Sequence, residues 1–463
     1  MAPPSESSQK TNTTNHTLAQ PHEADVHSTK LGEEIVIVDT VDPVSAPEPH
    51  PEGGYGWVVV IASFWVHFFI VGGTSAFGVY LQHFTAGQIF PNASNLSIAF
   101  IGSISACGLP LYAIPAGRLA DKYGYRPVAI IGGALTGLGY IASSFATEAW
   151  HIWVSQAVLF GVGSSFAYMP AISIISQWFE KKRGMAVGIA VAGSGVGGLA
   201  LSPLIRLLIR LLEWRWALCI NGIVCLVATV VAALFYKTRV ASKRAAAIDF
   251  GMFRIWDFTC LYIVAFFNTF GYFIPFFFLS SYAVYYGIST DNAALLLGVL
   301  NGASAVGRLL WGYSADRFGH MNTLTVTISV ASLSVLLIWP FSTALWSLMV
   351  FAIIFGSFIG GFISLFPTVI AELFKTKNIA SINGMLYSSF TIGNLFGSPL
   401  AGLIIDRCTT HNSDGSTTIN FIPAILFGGA CMLVSSGFVL SLAFRKRQAE
   451  KAERTAKLAQ EAL

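Results

Sequence analysis

The chain has 463 residues, of which 54% are hydrophobic and only 11% charged, with a formal net charge of +4. Soluble domains carry about a quarter charged residues, so this composition excludes a water-soluble globular protein of this length. The few basic residues sit in short connections, which excludes nucleic acid as a partner, and six cysteines give no disulfide framework; Cys107, Cys219, Cys225, Cys260 and Cys431 fall in apolar runs and read as small buried hydrophobes.

Residues 1–51 are rich in Ser, Thr, Pro, His and Glu and lack aromatic side chains, so they cannot offset the entropy of ordering and read as a disordered tail. Nothing in this tail has the pattern of a cleavable leader, and the apolar run that begins near Trp57 is expected to be the first helix of the mature protein. A bilayer core of roughly 30 Å requires about 20 apolar residues in a helix. Runs of that kind cover 57–81, 97–119, 127–146, 151–178, 185–205, 215–236, 258–281, 293–313, 321–340, 345–369, 382–404 and 420–444. The one long internal connection, 237–257, opens with Lys237-Thr-Arg-Val-Ala-Ser-Lys-Arg244 and separates six runs from six. The expected fold is therefore an all-α membrane protein of twelve transmembrane helices in two six-helix bundles, 52–236 and 258–444, with a cytoplasmic linker between them and a tail at 445–463. A six-plus-six pattern is the first sign of an internal repeat.

Lys and Arg set the orientation. On the side of the amino terminus lie Arg118 to Arg126, Lys181 to Arg183, Lys237 to Arg254, Arg317, Lys375 with Lys377, and Arg445 to Lys457; the other side holds only Arg206, Arg210, Arg215 and Arg407. This bias places both termini in the cytoplasm and the protein in a membrane, with the plasma membrane the first expectation. It also sorts the glycosylation sequons: Asn92 and Asn95 fall in the first outer connection, whereas Asn12 and Asn15 lie inside.

Two copies of one motif stand at matching places in the halves. Between helices 2 and 3 is Gly117-Arg-Leu-Ala-Asp121-Lys122-Tyr-Gly124-Tyr-Arg126, and between helices 8 and 9 is Gly312-Tyr-Ser-Ala-Asp316-Arg317-Phe-Gly319. Gly117 and Gly312 permit close helix approach, and Gly124 and Gly319 permit a turn with positive φ. Asp121 and Asp316 put a carboxylate at the inner surface, where it can meet the amino terminus of a neighbouring helix. Such contacts suit a gate that forms in one state of a rocking bundle and breaks in the other; a static topology signal is the alternative.

The paired motif and twelve helices resemble the major facilitator superfamily over residues 52–445. Glu52-Gly53-Gly54-Tyr55-Gly56-Trp57 is similar to the signature that precedes helix 1 in monocarboxylate porters, the segment from Trp178 to Gly197 resembles that family's helix 5 signature, and Pro399 to Asp406 its helix 11 ending. The resemblance implies transport of a carboxylate-like solute, with helices 1, 4, 7 and 10 lining the path. Two positions depart from the proton-linked animal members: the helix 1 lysine position is Ser75, and the acidic residue four before the helix 8 arginine is Ser304, while the arginine itself, Arg308, is kept. These departures leave a coupling proton open and fit the divergent fungal-type branch.

Arg308 lies within an apolar helix, where a charge by default faces a cavity or a partner. Its reading is either a bidentate hold on the substrate's carboxylate or a structural arginine bonded to carbonyls near the inner boundary. His67 in helix 1 could titrate or be a packed, satisfied side chain. Asn268 and Tyr272, one turn apart in the Phe-rich helix 7, share a face and are further candidates for substrate contact. Gly193-Ser-Gly195-Val-Gly-Gly198 has the spacing of a dinucleotide fingerprint, but it lies in a membrane span with no strand before it, so close helix packing is the reading. No cofactor or metal is expected, no paired catalytic groups point to an enzyme, and the short tails argue against a sensor. What remains is a gradient-driven transporter of a small organic acid, or an exporter of an amphipathic secondary metabolite; nothing in the sequence points to an accessory subunit.

Overall fold

The computed structural model describes residues 52–86, 89–90, 95–239, 250–374, 378–411 and 417–461; the amino-terminal tail, most of the linker and Asn92 lie outside them. The described chain is helical almost throughout. In order come α1 (Tyr55–Ala76, continued by Gly78–Ala86), α2 (Asn95–Leu111 and Ala113–Tyr123), α3 (Tyr125–Ser144), and α4, which begins at Ala149–Val154 and ends at Ile174–Gln177. Arg183–Leu234 is one helical run that non-helical backbone at Glu213 (φ 72°, ψ 160°) divides into α5 and α6. Then follow α7 (Trp256–Tyr285), α8 (Thr290–Phe318), α9 (His320–Leu337), α10 (Leu345–Phe374), α11 (Ile379–Ser388 and Phe390–Arg407) and α12 (Ile422–Glu461). Two-residue strands, Thr410–His411 and Thr417–Thr418, form a small hairpin before α12.

Among the described residues ten helices are long and apolar enough to cross a membrane, Arg183–Leu234 among them as a single helix of 52 residues. Its division at Glu213 and the interrupted α2 bring the spans to the expected twelve. Leu199, Leu211, Trp216, Phe277 and Phe341 are exposed on the outside of the bundles, where lipid takes the place of water.

Lipid tails are as apolar as leucine, so helices associate here through close backbone packing rather than a hydrophobic drive, and the glycines mark where. In the first bundle α5 lies on α1: a Cβ at Gly193 would come 2.2 Å from the Phe64 carbonyl oxygen, and one at Gly197 equally close to that of Phe68. The string from Gly193 to Gly198 is thus a packing surface. In the second bundle α8 lies on α10, with Gly307 against the Ser357 carbonyl oxygen at 2.0 Å and Gly360 against that of Ser304 at 2.2 Å by the same measure. Between the bundles two further seams repeat the device. Gly117 of α2 meets Ala380 of α11, and Gly184 of α5 meets Gly312 of α8.

Several ends differ from expectation. Arg206 and Arg210 belong to the helical continuation of α5 rather than to a loop, because Leu-Ile-Arg-Leu-Leu-Ile-Arg is a good helix former whose charges merely lower its apparent hydrophobicity. The motif residues Gly117 to Lys122 and Gly312 to Arg317 are the last turns of α2 and α8, not loops. The chain after Arg445 stays helical to Glu461. Asn95 is the first residue of α2. Cys219 and Cys431 are half-buried rather than fully buried, and all six cysteines are free.

Candidate functional site

The motif-side ends of the two bundles are held together by the two motif carboxylates. Asp121, buried at the end of α2, accepts from both the backbone N–H and the hydroxyl of Ser381 through its Oδ2 (2.7 and 2.6 Å). Ser381 is in the first turn of α11, so the carboxylate lies at the positive end of that helix. Asp316, at the end of α8, accepts from the N–H groups of Gly184 (2.7 Å) and Met185 (2.8 Å), in the first turn of α5. Each half therefore presents a carboxylate to a helix amino terminus of the other half. Gly124 (φ 93°) and Gly319 (φ 91°) turn the chain immediately behind the carboxylates, as the motif's spacing predicts. Lys122, Arg126 and Arg317 are exposed; Lys122 lies over the Tyr123 ring and Arg317 over that of Tyr313, whose hydroxyl it bonds.

Behind each carboxylate runs a polar chain, and the two chains differ in chemistry. In the first half the Tyr125 hydroxyl donates to Asp121 Oδ1 (3.2 Å) and also meets Gln177, which in turn accepts from the Arg239 N–H (3.0 Å). In the second half His320, four residues after Asp316 as Tyr125 is four after Asp121, places Nε2 3.2 Å from Asp316 Oδ1 and Nδ1 2.9 Å from Glu372 Oε2. Glu372 is also paired with Lys446. The first chain is built from a phenol and an amide, the second from an imidazole, a carboxylate and an ammonium. The register of the two motifs is the signal that locates His320: it is the residue after the second motif glycine, as Tyr125 is in the first copy.

Eight residues before Asp316, about 12 Å along α8 at 1.5 Å per residue, is Arg308. Its side chain is buried and bonds across the seam to α5, through Nη1 to the Val191 carbonyl (3.2 Å) and to the Ser194 hydroxyl. The bond to the Val191 carbonyl is of the kind the structural-arginine alternative expects, and α5 supplies it because the seam of small residues brings its backbone alongside α8. The Arg308 Nε has no partner, and among the described residues no carboxylate forms an ion pair with it. Tyr272 from α7 is within hydrogen-bond reach of Arg308, and Tyr168 from α4 and His67 from α1 lie near enough to feel its charge.

His67 is fully buried. Its Nδ1 lies 2.7 Å from the Ser63 carbonyl, its ring packs on Tyr168 at 4.8 Å, and Nε2 is unpartnered. The Tyr168 hydroxyl donates to that of Tyr387 (3.4 Å) in α11, and Asn383 one turn earlier donates to Ser173 Oγ (2.8 Å) in α4. Tyr387 and Asn383 are interbundle groups that the sequence does not single out. Asn268 is fully buried with both amide atoms unpartnered; it lies one turn from Tyr272, and no bond joins it to the Arg308 group. Earlier in α8 there is open space: a Cβ at Gly302 or Gly298 would meet nothing within 4 Å. On the motif side, by contrast, the two halves are in close contact at Gly117 with Ala380 and at Gly184 with Gly312.

The profile of the Major Facilitator Superfamily matches residues 63–342 and, overlapping them, 261–462. The chain belongs to that superfamily. Among its relatives in the superfamily are the aspyridones efflux protein apdF of Emericella nidulans, 32% identical and covering 79% of this chain and 76% of its own, and the agnestins efflux protein AgnL12 of Paecilomyces divaricatus, 29% identical and covering 83% and 86%. A solved superfamily structure, the transporter FucP in the outward conformation, shares the fold with a TM-score of 0.62 at 16% identity over 82% of this chain and 97% of its own. Membership makes this chain a membrane transporter, and the duplicated carboxylates and the seams of small residues are the superfamily fold as this sequence builds it.

Proposed function

We propose that the protein moves a small organic acid across its membrane by gradient-driven alternating access, as a divergent fungal-type monocarboxylate porter, with Arg308 recognising the acid group. The observation that supports this is the setting of Arg308: a buried guanidinium with, among the described residues, no carboxylate paired to it and one unpartnered N–H, beside Tyr272, Tyr168 and His67. A solute carboxylate would supply the missing countercharge, and the aromatic rings suit an apolar body behind it. Asp121 and Asp316 act as latches on the inner side and do not touch the solute. Both termini are cytoplasmic in this reading, the plasma membrane is the site, and a proton is an optional partner.

A second reading, export of an amphipathic secondary metabolite, is favoured by the efflux proteins among the relatives. It uses the same site and latches, and an acidic metabolite would satisfy both. The test is counterflow in reconstituted vesicles with organic acids and their neutral amides or esters. Wild type discriminates for the acid. Arg308→Ala loses that preference by about the 2–5 kcal/mol that a desolvated charge pair costs when one partner goes, and Arg308→Lys, which keeps charge but not the planar fork, falls between. Equal losses for acid and neutral analogue in a correctly inserted variant would show that Arg308 is structural.

A further inference from the structure

The amino end of α5 is held by two carboxylates from opposite sides. Asp316, from the other bundle, takes the N–H groups of Gly184 and Met185. Glu52, from the segment before α1, takes three in the preceding stretch: Oε1 accepts from the N–H of Glu180 (2.8 Å) and of Lys181 (2.7 Å), and Oε2 from that of Lys182 (3.1 Å). The Glu52 backbone has φ 53°, a conformation that a residue with a Cβ seldom adopts, and its own N–H donates to the Trp178 carbonyl (3.3 Å). The residues that follow fit the same surface. A Cβ at Gly56 would come within 2.9 Å of the Phe179 ring, Trp57 packs on Phe179 with centroids 5.0 Å apart, and Tyr55 packs on Trp178 at 5.6 Å. The two signatures at 52–57 and 178–184 are two sides of one contact.

Glu52 and α5 belong to the same bundle, so their contact survives when the bundles part, whereas the Asp316 contact does not. Arg183, between the two sets of N–H groups, donates through Nε to the Phe179 carbonyl (3.1 Å). Its charge has the carboxylates of Glu180, Glu372, Glu52 and Asp316 around it, which offsets repulsion between Glu52 and Asp316. We propose that Glu52 is a positioning residue for the inner latch. It fixes residues 180–182 so that Gly184 and Met185 present a preformed socket to Asp316, and the ordering cost of the socket is not met anew at each closure. The inference rests on the reading of Asp316 as a latch.

The test measures the ratio of inside-closed to inside-open protein in the full chain, by pulsed electron resonance between spin labels at Val231→Cys, exposed near the end of α6, and Phe444→Cys, exposed in α12 just before the basic run at Arg445. Asp316→Asn and Glu52→Gln should each lower the ratio about tenfold, and the double variant should fall no more than about threefold below Asp316→Asn, because Glu52 works through the contact that Asp316 has already lost. Independent losses that multiply to about a hundredfold in the double variant, or a Glu52→Gln ratio equal to wild type beside a shifted Asp316→Asn, would overturn the positioning role while leaving the latch standing. An unshifted Asp316→Asn would refute the latch and the positioning role together. Should Glu52→Gln fail to fold, Glu52→Asp keeps the charge on a shorter stem and carries the same comparison, with a smaller single shift and the same lack of additivity.

Discussion

Replacing Asp121 by Asn removes a charge and one acceptor from the seam between α2 and α11 while leaving the side chain's size unchanged. The carboxylate accepts two hydrogen bonds from Ser381 on one oxygen and one from Tyr125 on the other. Hydrogen bonds to a charged group contribute about 1.5–3 kcal/mol each, and a carboxylate at a helix amino terminus about 0.3–1 kcal/mol more. Asn keeps a carbonyl oxygen that can still accept from the Ser381 N–H, so the inside-closed state should lose about 2 kcal/mol rather than the full sum. At 1.4 kcal/mol per decade that is about a 30-fold change in the ratio of the two states. Substrate affinity should move only a few-fold, since Arg308 is about 12 Å from the latch level and a state that begins dominant loses only part of its binding-competent fraction. The assay pairs equilibrium binding with exchange rates from single-molecule fluorescence in nanodiscs. Turnover should fall while affinity holds; a collapse of affinity with unaltered exchange would mean that Asp121 serves the substrate site instead.

Glycine variants should separate the seams from the bundle cores. A Cβ at Gly312 would come 2.4 Å from the Gly184 carbonyl oxygen in the other bundle, and one at Gly307 would come 2.0 Å from that of Ser357 in its own. Overpacking costs about 1–3 kcal/mol, so Gly312→Ala should shift the protein toward the inside-open state with its unfolding temperature nearly unchanged, and Gly307→Ala should lower that temperature; equal thermal losses in both would contradict the division into bundles. Glu372→Gln deprives His320 and Lys446 of their shared carboxylate and should weaken the second latch, whereas Gln177→Ala should weaken the first; accessibility of the inner mouth to a cysteine reagent reads both, and identical wild-type accessibility would count against the polar chains. Lys181→Cys should react with an impermeant thiol reagent only after cells are opened, and Phe341→Cys in intact cells; the reverse pattern would invert the topology.

Much of this was legible in the sequence because membrane helices announce themselves by hydropathy and because repetition is a strong signal. The paired Gly-x-x-x-Asp motifs pointed to two carboxylates that meet helix amino termini, and the positive φ at Gly124 and Gly319 followed from the motif's spacing alone. What sequence could not show was who lies opposite. The donors to Asp121 and Asp316 come from Ser381 and Gly184, more than a hundred residues away along the chain. Arg308 finds Val191 and Ser194 only because Gly188 and Gly195 let α5 come against α8. The helical continuation through Arg206 and Arg210 was hidden for a different reason: charges near a membrane edge depress hydropathy without breaking a helix. Glu52 was readable as part of a signature but not as a ligand of backbone N–H groups, since backbone donors leave no trace in residue type.

The most direct test of the alternating-access reading is a pair of distances in one protein. Spin labels at Val231→Cys with Phe444→Cys report the inner side, and labels at Phe145→Cys with Phe341→Cys, both at the ends of α3 and α9 remote from the motifs, report the outer side. On addition of a transported acid, or on replacing both Asp121 and Asp316 by Asn, the inner distance should lengthen as the outer one shortens. Distances that stay fixed, or that lengthen and shorten together, would contradict a rocking pair of bundles latched at Asp121 and Asp316.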